Sequence, residues 1–127
     1  MTSNLRAVLL IGSGSAFGGV GRHFVGEWLG KIVQSPYRTF VVNMTGALLL
    51  GFFLQWAEQQ DVGHPSLRLF VAVGLCGGYT TFSTFSYETL ALITTGAYGR
   101  AAVYAVASVL VSLAAVFAGS AIARLFA

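Results

Sequence analysis

The sequence predicts an all-α membrane protein with four transmembrane helices and a break in the third. The composition is 56% hydrophobic and 9% charged, whereas soluble domains contain about 25% charged residues. Long uncharged stretches separate the few charges, the last three being 39–57, 69–87 and 101–123. At about 1.5 Å per helical residue, such stretches match the roughly 30 Å hydrocarbon core of a bilayer.

We expect one domain, 1–127, because the chain has the length of a single unit. Its four spans are predicted near 5–27, 38–58, 67–95 and 99–126. The first span has a shorter uncharged stretch, so Arg6 would extend outward to the headgroups and Arg22 would lie within the helix. The N-terminal segment has one positive charge and no clear cleavage site, so we expect it to stay as the first helix.

The basic residues divide almost equally between the two ends of the predicted bundle. Arg6, Arg68 and Arg124 lie at one end, and Arg22, Lys31, Arg38 and Arg100 lie at the other. Orientation normally follows the excess of Lys and Arg on one side. Two interpretations stay open: a weak bias towards one orientation, or insertion both ways with antiparallel pairing of two copies. Four short helices enclose little, which favours an oligomer, and the scattered charges do not indicate nucleic-acid binding.

The first span is rich in glycine. Gly12 and Gly14 imitate part of a dinucleotide-binding fingerprint, but they lie in a membrane helix and no strand precedes them. Small residues at Gly14, Gly18 and Gly21 instead predict the close approach of another helix.

The third span concentrates polarity where the bilayer should be most apolar. Gly74, Gly77 and Gly78 precede a run of hydroxyl residues, a composition that weakens a helix. We therefore predict a break near 76–80 with carbonyl groups directed into the protein, because irregular backbone in a membrane must be buried or line a cavity. Freed carbonyls suit a hard cation; a plain kink without an ion is the alternative. We expect Cys76 to be a small buried apolar residue.

Phe82 and Phe85 lie three residues apart, which places them on one helical face. The positive edge of a phenyl ring attracts an anion weakly, and the hydroxyls of Ser83 and Thr84 lie beside the rings. This set suits a path on which a small hydrated anion is held loosely enough to leave. The alternative is two ordinary core phenylalanines.

Polar residues also occur inside the second and fourth spans. Asn43 would either bond another helix or offer N–H groups to an anion. Tyr104, Ser108 and Ser112 recur at steps of four, so they share one face of the fourth helix. They would either form a hydroxyl row along a water-filled path or, for the serines, bond back to their own helix.

Glu88 is the only acid deep in a span, and intramembrane ionisable residues are functional candidates. Arg22 is the matching base, and a dimer would bring the two near one another or into a vestibule. His23 and His64 have no metal-ligand spacing. No nucleophile–base pair is evident, so we do not expect an enzyme.

Three motifs together resemble one known family. The run GGYTTFSTFSYE (77–88), Asn43 within VNMTG, and Arg22 after GGVG resemble the bacterial fluoride channels of the CrcB/Fluc family, and the resemblance covers essentially the whole chain. It implies an antiparallel, dual-topology homodimer that crosses the bacterial inner (plasma) membrane several times. It further implies two parallel pores through which cytoplasmic fluoride leaves passively, reducing fluoride toxicity.

The resemblance also implies residue roles. A structural Na⁺ on the two-fold axis would be held by backbone carbonyls of Gly77 and Thr80 from each copy. The pore residues would be Asn43, Phe82, Phe85, Tyr104, Ser108 and Ser112, with Ser83 and Thr84 beside the rings. Arg22 and Glu88 would correspond to the first-helix arginine and the acid that follows the motif. Val116 interrupts the hydroxyl row, and His23 stands where an aromatic residue is frequent.

Two rival functions remain at this point. A proton-coupled small multidrug exporter is also a four-helix, dual-topology dimer, but it relies on a carboxylate in the first span, where this chain has only Glu27 at the far end. A non-transporting membrane subunit would have no reason to place hydroxyls and ring edges along two helices.

Overall fold

The computed structural model describes residues 2–61 and 63–127, and these form helices and short connections without a β-strand. The elements are α1 Ser3–Leu29, α2 Tyr37–Gln59, α3 Pro65–Arg68, a π-helical segment Leu69–Cys76, α4 Gly77–Tyr79, α5 Phe82–Thr94 and α6 Tyr98–Arg124. The predicted all-α class is confirmed for the described residues. The sequence pattern predicted ordinary helix where the π-helical segment lies.

Three helical stretches in the described chain are long and apolar enough to cross a membrane. They are Tyr37–Gln59, Pro65–Thr94 and Tyr98–Arg124. The 27-residue helix α1 is long enough to cross as well, but it is outside this group because glycine and serine lower its apolar content. These lengths and compositions are consistent with an all-α membrane protein.

Helix α1 packs closely against the π-helical segment through two glycines. A Cβ atom at Gly14 would collide with the carbonyl oxygen of Phe70, and one at Gly18 would collide with that of Leu75. Both glycines are buried. The predicted small-residue contact is therefore confirmed at these two positions. At Gly21 an added Cβ would meet nothing within 4 Å, so the prediction for that residue was wrong within one chain.

Helices α2 and α6 form the second close pair. A Cβ atom at Gly51 would collide with the carbonyl oxygen of Val116, and one at Gly119 would collide with that of Leu48. Ser120 Oγ donates to the Gly51 carbonyl oxygen over 3.2 Å, so a polar bond supports this contact. The segment around Thr80 lies between these two helix pairs, because Gly46 on α2 approaches Thr80 and Gly18 on α1 approaches Tyr79.

Extended backbone at two consecutive residues separates α4 from α5. Thr80 has φ −82° and ψ 157°, and Thr81 has φ −147° and ψ 116°. Helix α5 then begins at Phe82, with Thr81 Oγ1 accepting a bond from the N–H of Thr84 over 3.2 Å. This arrangement is an N-cap, which satisfies one of the free donors at a helix start.

Helix α5 ends in a tight turn that returns the chain along α6. Gly96 has φ 81°, a conformation that glycine adopts without steric cost. Its N–H donates to the Ile93 carbonyl oxygen over 3.0 Å, and that of Ala97 donates to the Leu92 carbonyl oxygen over 2.8 Å. These two bonds form a Schellman motif. The turn brings the first half of α6 beside α5.

Candidate functional site

The amide of Asn43 holds the extended residue Thr81 by two hydrogen bonds. Asn43 Nδ2 donates to the Thr81 carbonyl oxygen over 3.0 Å, and the Thr81 N–H donates to Asn43 Oδ1 over 2.8 Å. Of the two sequence-based interpretations of Asn43, the interhelical bond is therefore present. The amide nitrogen carries two hydrogens, and this pair of bonds engages one of them.

Neighbouring hydroxyls complete the hydrogen bonding around Thr81. Its Oγ1 lies 3.1 Å from Thr84 Oγ1 and 3.3 Å from Ser83 Oγ. The backbone N–H and Oγ1 of Thr80 both donate to the Cys76 carbonyl oxygen, each over 3.0 Å. Ser83 and Thr84 therefore lie directly beside the extended residues. Cys76 is buried as expected, with 2% of its surface exposed.

Three aromatic rings follow one another along the start of α5 and across to α6. The ring centroids of Phe82 and Phe85 are 5.4 Å apart, and those of Phe85 and Tyr104 are 5.3 Å apart. Phe82 is 78% exposed, whereas Tyr104 is buried. Phe82 is therefore not a core residue of its own chain, and the interpretation of two ordinary core phenylalanines does not hold for it.

A cavity of about 380 Å³ brings most of the predicted path residues together. Its lining includes Asn43, Gly77, Thr80, Thr81, Phe82, Phe85, Ser108 and Ser112. Ser108 Oγ is buried and has no hydrogen-bond partner among the described residues, which is rare because buried polar atoms are usually bonded. Ser83 lies outside this lining, and Val116 contributes an apolar part of the wall.

A second, more polar cavity of about 400 Å³ adjoins the first. Arg22, His23, Arg38 and Glu88 line it, together with Thr39, Thr81 and Thr84. Two guanidinium groups against one carboxylate give this cavity a positive balance. Thr81 is common to the linings of both cavities. The structure therefore brings Arg22 and Glu88 into one cavity within a single chain. Arg38 also lines this cavity, and the sequence reasoning did not identify it as a site residue.

The Glu88 carboxylate accepts three hydroxyl hydrogen bonds. Its Oε1 accepts from Ser35 Oγ over 2.7 Å and from Thr39 Oγ1 over 2.9 Å. Its Oε2 accepts from Tyr104 OH over 2.7 Å. Bonds to a charged acceptor are the stronger class of hydrogen bond. We call Glu88 with these three donors the hydroxyl cage.

The hydroxyl cage contains two residues that sequence reasoning missed. Thr39 lies four residues before Asn43, so the two share a face of α2, and this spacing was an available signal. Ser35 lies in the connection before α2, where nothing in the sequence distinguishes it. Tyr104 was predicted to face an anion path with Ser108 and Ser112, yet its hydroxyl donates to Glu88 instead.

Residues 9–120 match the family model described as "CrcB-like protein, Camphor Resistance (CrcB)". The "Fluoride-specific ion channel FluC" of Caulobacter sp. (strain K31) is 44% identical over 120 residues, covering 92% of this chain and 94% of that protein.

Two further relatives carry the same description. The protein from Caulobacter vibrioides (strain NA1000 / CB15N) is 41% identical over 123 residues, covering 94% of this chain and 97% of that protein. The protein from Nitrobacter winogradskyi (strain ATCC 25391) is 41% identical over 126 residues, covering 92% of this chain and 94% of that protein. With identity at this level over nearly the full length, the chain belongs to the CrcB family.

Proposed function

We propose that this chain forms a fluoride-selective ion channel through which cytoplasmic fluoride leaves passively, which reduces fluoride toxicity. The chain belongs to the CrcB family, and relatives covering nearly all of it are described as fluoride-specific ion channels, which supports an ion channel rather than an enzyme. HF crosses membranes as a neutral acid and ionises inside. A negative interior then drives the anion out by about 2.3 kcal/mol for each 100 mV.

The observation that carries the proposal is the lining of the first cavity. Two phenyl rings, an amide and two serines line it in helices long and apolar enough to span a membrane, and the described lining contains no lysine, arginine or carboxylate. Hydrogen-bond donors without a full positive charge attract fluoride but do not trap it. The Ser108 hydroxyl supports the same interpretation, because its buried donor has no partner among the described residues although Ser108 lines this cavity.

The second cavity supplies the entrance in this proposal. Arg22 and Arg38 line it with Glu88, and a cleft lined by an excess of one charge raises the local concentration of the opposite ion. Fluoride would then pass Thr81, which both cavities share. Asn43 acts by holding the Thr81 peptide, with its second N–H available to the anion.

A structural Na⁺ fits the break in the third span. In an unbroken helix the N–H groups of Thr81 and Thr84 would donate to the carbonyls of Gly77 and Thr80. Here the Thr81 N–H donates to Asn43 Oδ1 and the Thr84 N–H donates to Thr81 Oγ1. Both carbonyls therefore lose their helical donors, which leaves their oxygens available to a hard cation. When bound, Na⁺ would supply positive charge beside the anion path.

Two antiparallel copies, inserted both ways in the bacterial inner membrane, complete the proposed channel. Phe82 is 78% exposed on a face that carries polar groups, and a second copy would cover that face. Helix α1 would span with the other three, its glycine face already occupied by the third span. The three-against-four division of basic residues is compatible with insertion in both orientations.

Fluoride release from liposomes tests the proposal. Purified protein in vesicles loaded with fluoride should release it rapidly without a proton gradient, as followed with a fluoride electrode, and should not release chloride. Phe82→Ile and Phe85→Ile should slow release, because the ring edge is lost while the bulk remains. Phe117→Ile is the matched control, since Phe117 is 77% exposed on α6 and lies outside both cavities.

The same experiment separates the rivals. Release that requires a proton gradient would favour an exporter, and no release from a folded protein would favour a subunit without transport activity. The exporter is already the weaker alternative, because Glu27 lies exposed near the end of α1. Normal release by both phenylalanine variants would remove the rings from the mechanism.

A further inference from the structure

A third cavity of about 360 Å³ lies on a different side of α6 from the proposed anion path. We call it the Arg100 groove; it is lined by Pro36, Tyr37, Phe40, Leu92, Gly99, Arg100, Val103, Tyr104 and Ala107. Two groove residues on α6, Val103 and Ala107, lie roughly 150° around the helix from Val109 and Val116, at 100° per residue. Val109 and Val116 line the first cavity. A copy that covers the first cavity therefore leaves this groove facing the lipid.

The groove is polar at one end and apolar along its length. Arg100 lies exposed in the first turn of α6, and the described lining residues include this one cation and no carboxylate. From Arg100 to Ala107 the groove follows α6 for about 10 Å at 1.5 Å per residue. That stretch is closed by the side chains of Phe40, Leu92 and Val103.

Exposed tyrosines mark the level of the polar end. Tyr37 at the start of α2 is 52% exposed, and Tyr98 at the start of α6 is 69% exposed. Tyrosine is enriched where a membrane meets water, so Arg100 lies at the depth of lipid headgroups. An arginine there faces lipid phosphates, whereas the apolar length below it faces acyl chains.

We propose that the Arg100 groove binds one anionic phospholipid, with the headgroup phosphate on the Arg100 guanidinium and an acyl chain along Val103 and Ala107. Charge complementarity selects this occupant: a cation without an acid in the lining matches a net-negative headgroup, and basic pockets between membrane helices bind such headgroups. The inference requires only that the chain lies in a membrane, so it stands apart from the proposal of fluoride transport.

The test measures lipid bound to the full-length protein. Protein would be reconstituted in vesicles of phosphatidylcholine mixed equally with phosphatidylglycerol, extracted in mild detergent, and its retained lipids counted by native mass spectrometry. The wild type should retain phosphatidylglycerol in preference to phosphatidylcholine. Arg100→Gln should reduce that retention about fivefold, the effect of one basic residue near an anionic surface.

Two further variants locate the site. Val103→Phe should also reduce retention, because it fills the groove from an exposed position without changing charge. Arg124→Gln, at the opposite end of α6, should retain as much phosphatidylglycerol as the wild type. Equal retention by Arg100→Gln and wild type, or no preference for phosphatidylglycerol, would overturn the proposal. So would a Val103→Phe protein that loses its dimer but keeps its lipid, because a second copy would then occupy the groove.

Discussion

The peptide group of Thr81 is held on both its N–H and its carbonyl by one side chain, that of Asn43. Without that side chain, two backbone groups within a membrane span would lack partners. An unsatisfied buried group costs about 1–3 kcal/mol. We infer that Asn43 determines the shape of the path as much as it contacts an ion.

Asn43→Ala should therefore lower both the free energy of unfolding, by about 1–3 kcal/mol, and fluoride release. Asn43→Asp keeps an acceptor for the Thr81 N–H but cannot donate to the Thr81 carbonyl oxygen. Its negative charge also repels the anion, so the fractional loss of fluoride release should exceed the fractional loss of unfolding free energy. Thermal unfolding in detergent and vesicle release measure the two effects. Gln55→Ala, at a half-buried amide on the same helix, is the control. Unchanged stability in Asn43→Ala would show that the two bonds contribute little.

The hydroxyl cage yields a second residue-level prediction. Tyr104→Phe keeps the ring packed on Phe85 and removes one bond to Glu88, so it should destabilise the protein by about 1.5–3 kcal/mol, as expected for a bond to a charged group. Tyr87→Phe, at a position 73% exposed, should cost nothing measurable.

A double-mutant cycle with Glu88→Gln distinguishes this bond from loss of packing. The two changes remove the same interaction, so their combined cost in unfolding free energy should fall short of the sum by about 0.5–3 kcal/mol. Strict additivity in chemical denaturation would mean that Tyr104 and Glu88 do not depend on one another.

Single residues were predictable to the extent that they stood out against their surroundings. An amide, an acid and two phenylalanines flanked by hydroxyl residues are conspicuous in apolar spans, and the structure brings Asn43, Phe82 and Phe85 to one cavity. Their partners were not predictable, because a hydroxyl near a helix end is ordinary. Ser35 and Thr39 acquire meaning only once the register of α2 against α5 is known.

At the scale of elements, the close pairing of α1 with the third span depends on glycine. The carbonyls of Phe70 and Leu75 lie where side chains at Gly14 and Gly18 would be. The sequence predicted this contact from the spacing of small residues. It did not predict the π-helical form of Leu69–Cys76, because no residue type there prefers that form over an ordinary helix.

Alanine substitutions test the glycine contact with a built-in control. Gly18→Ala should destabilise the protein by about 1–3 kcal/mol, the cost of overpacking, since its methyl group would collide with backbone atoms that cannot move aside. Gly12→Ala adds the same methyl group where nothing lies within 4 Å, and should raise stability slightly through helix propensity. Equal unfolding temperatures for the two variants would contradict the packing described.

At the scale of the whole molecule, the surface is unusually apolar for an isolated chain. Phe82, Phe117 and Leu125 are each more than three-quarters exposed, and a membrane or a second copy has to cover such groups. Composition predicted the membrane-spanning class for this reason. It could not decide the orientation or the proposed pairing of copies, because a three-against-four division of basic residues selects neither orientation.

Added charge at one end should therefore fix the orientation. Gly63→Lys with His64→Lys adds positive charge to the connection between α2 and α3. Ile32→Lys with Gln34→Lys adds it to the connection between α1 and α2, and all four positions are exposed. If the proposed antiparallel pairing holds, each double variant alone should yield little fluoride release, because partners of the opposite orientation become scarce. Co-expression of the two should restore release, measured in vesicles prepared from each culture.

Neutral substitutions at the same positions supply the control. Gly63→Gln with His64→Gln should release fluoride like the wild type, since the loop changes without its charge. Full release from either lysine variant alone would show that the pair does not need opposite orientations.

The bond from Ser35 to Glu88 has a practical consequence for anyone who wishes to control this protein from outside. Ser35 lies exposed in the connection between α1 and α2, while Glu88 accepts a bond from Tyr104, whose ring packs at an angle against Phe85. A synthetic antibody fragment that binds the 31–35 connection would therefore reach the rings through the contacts of Ser35, Glu88 and Tyr104. We expect such a fragment to alter conduction without entering the passage.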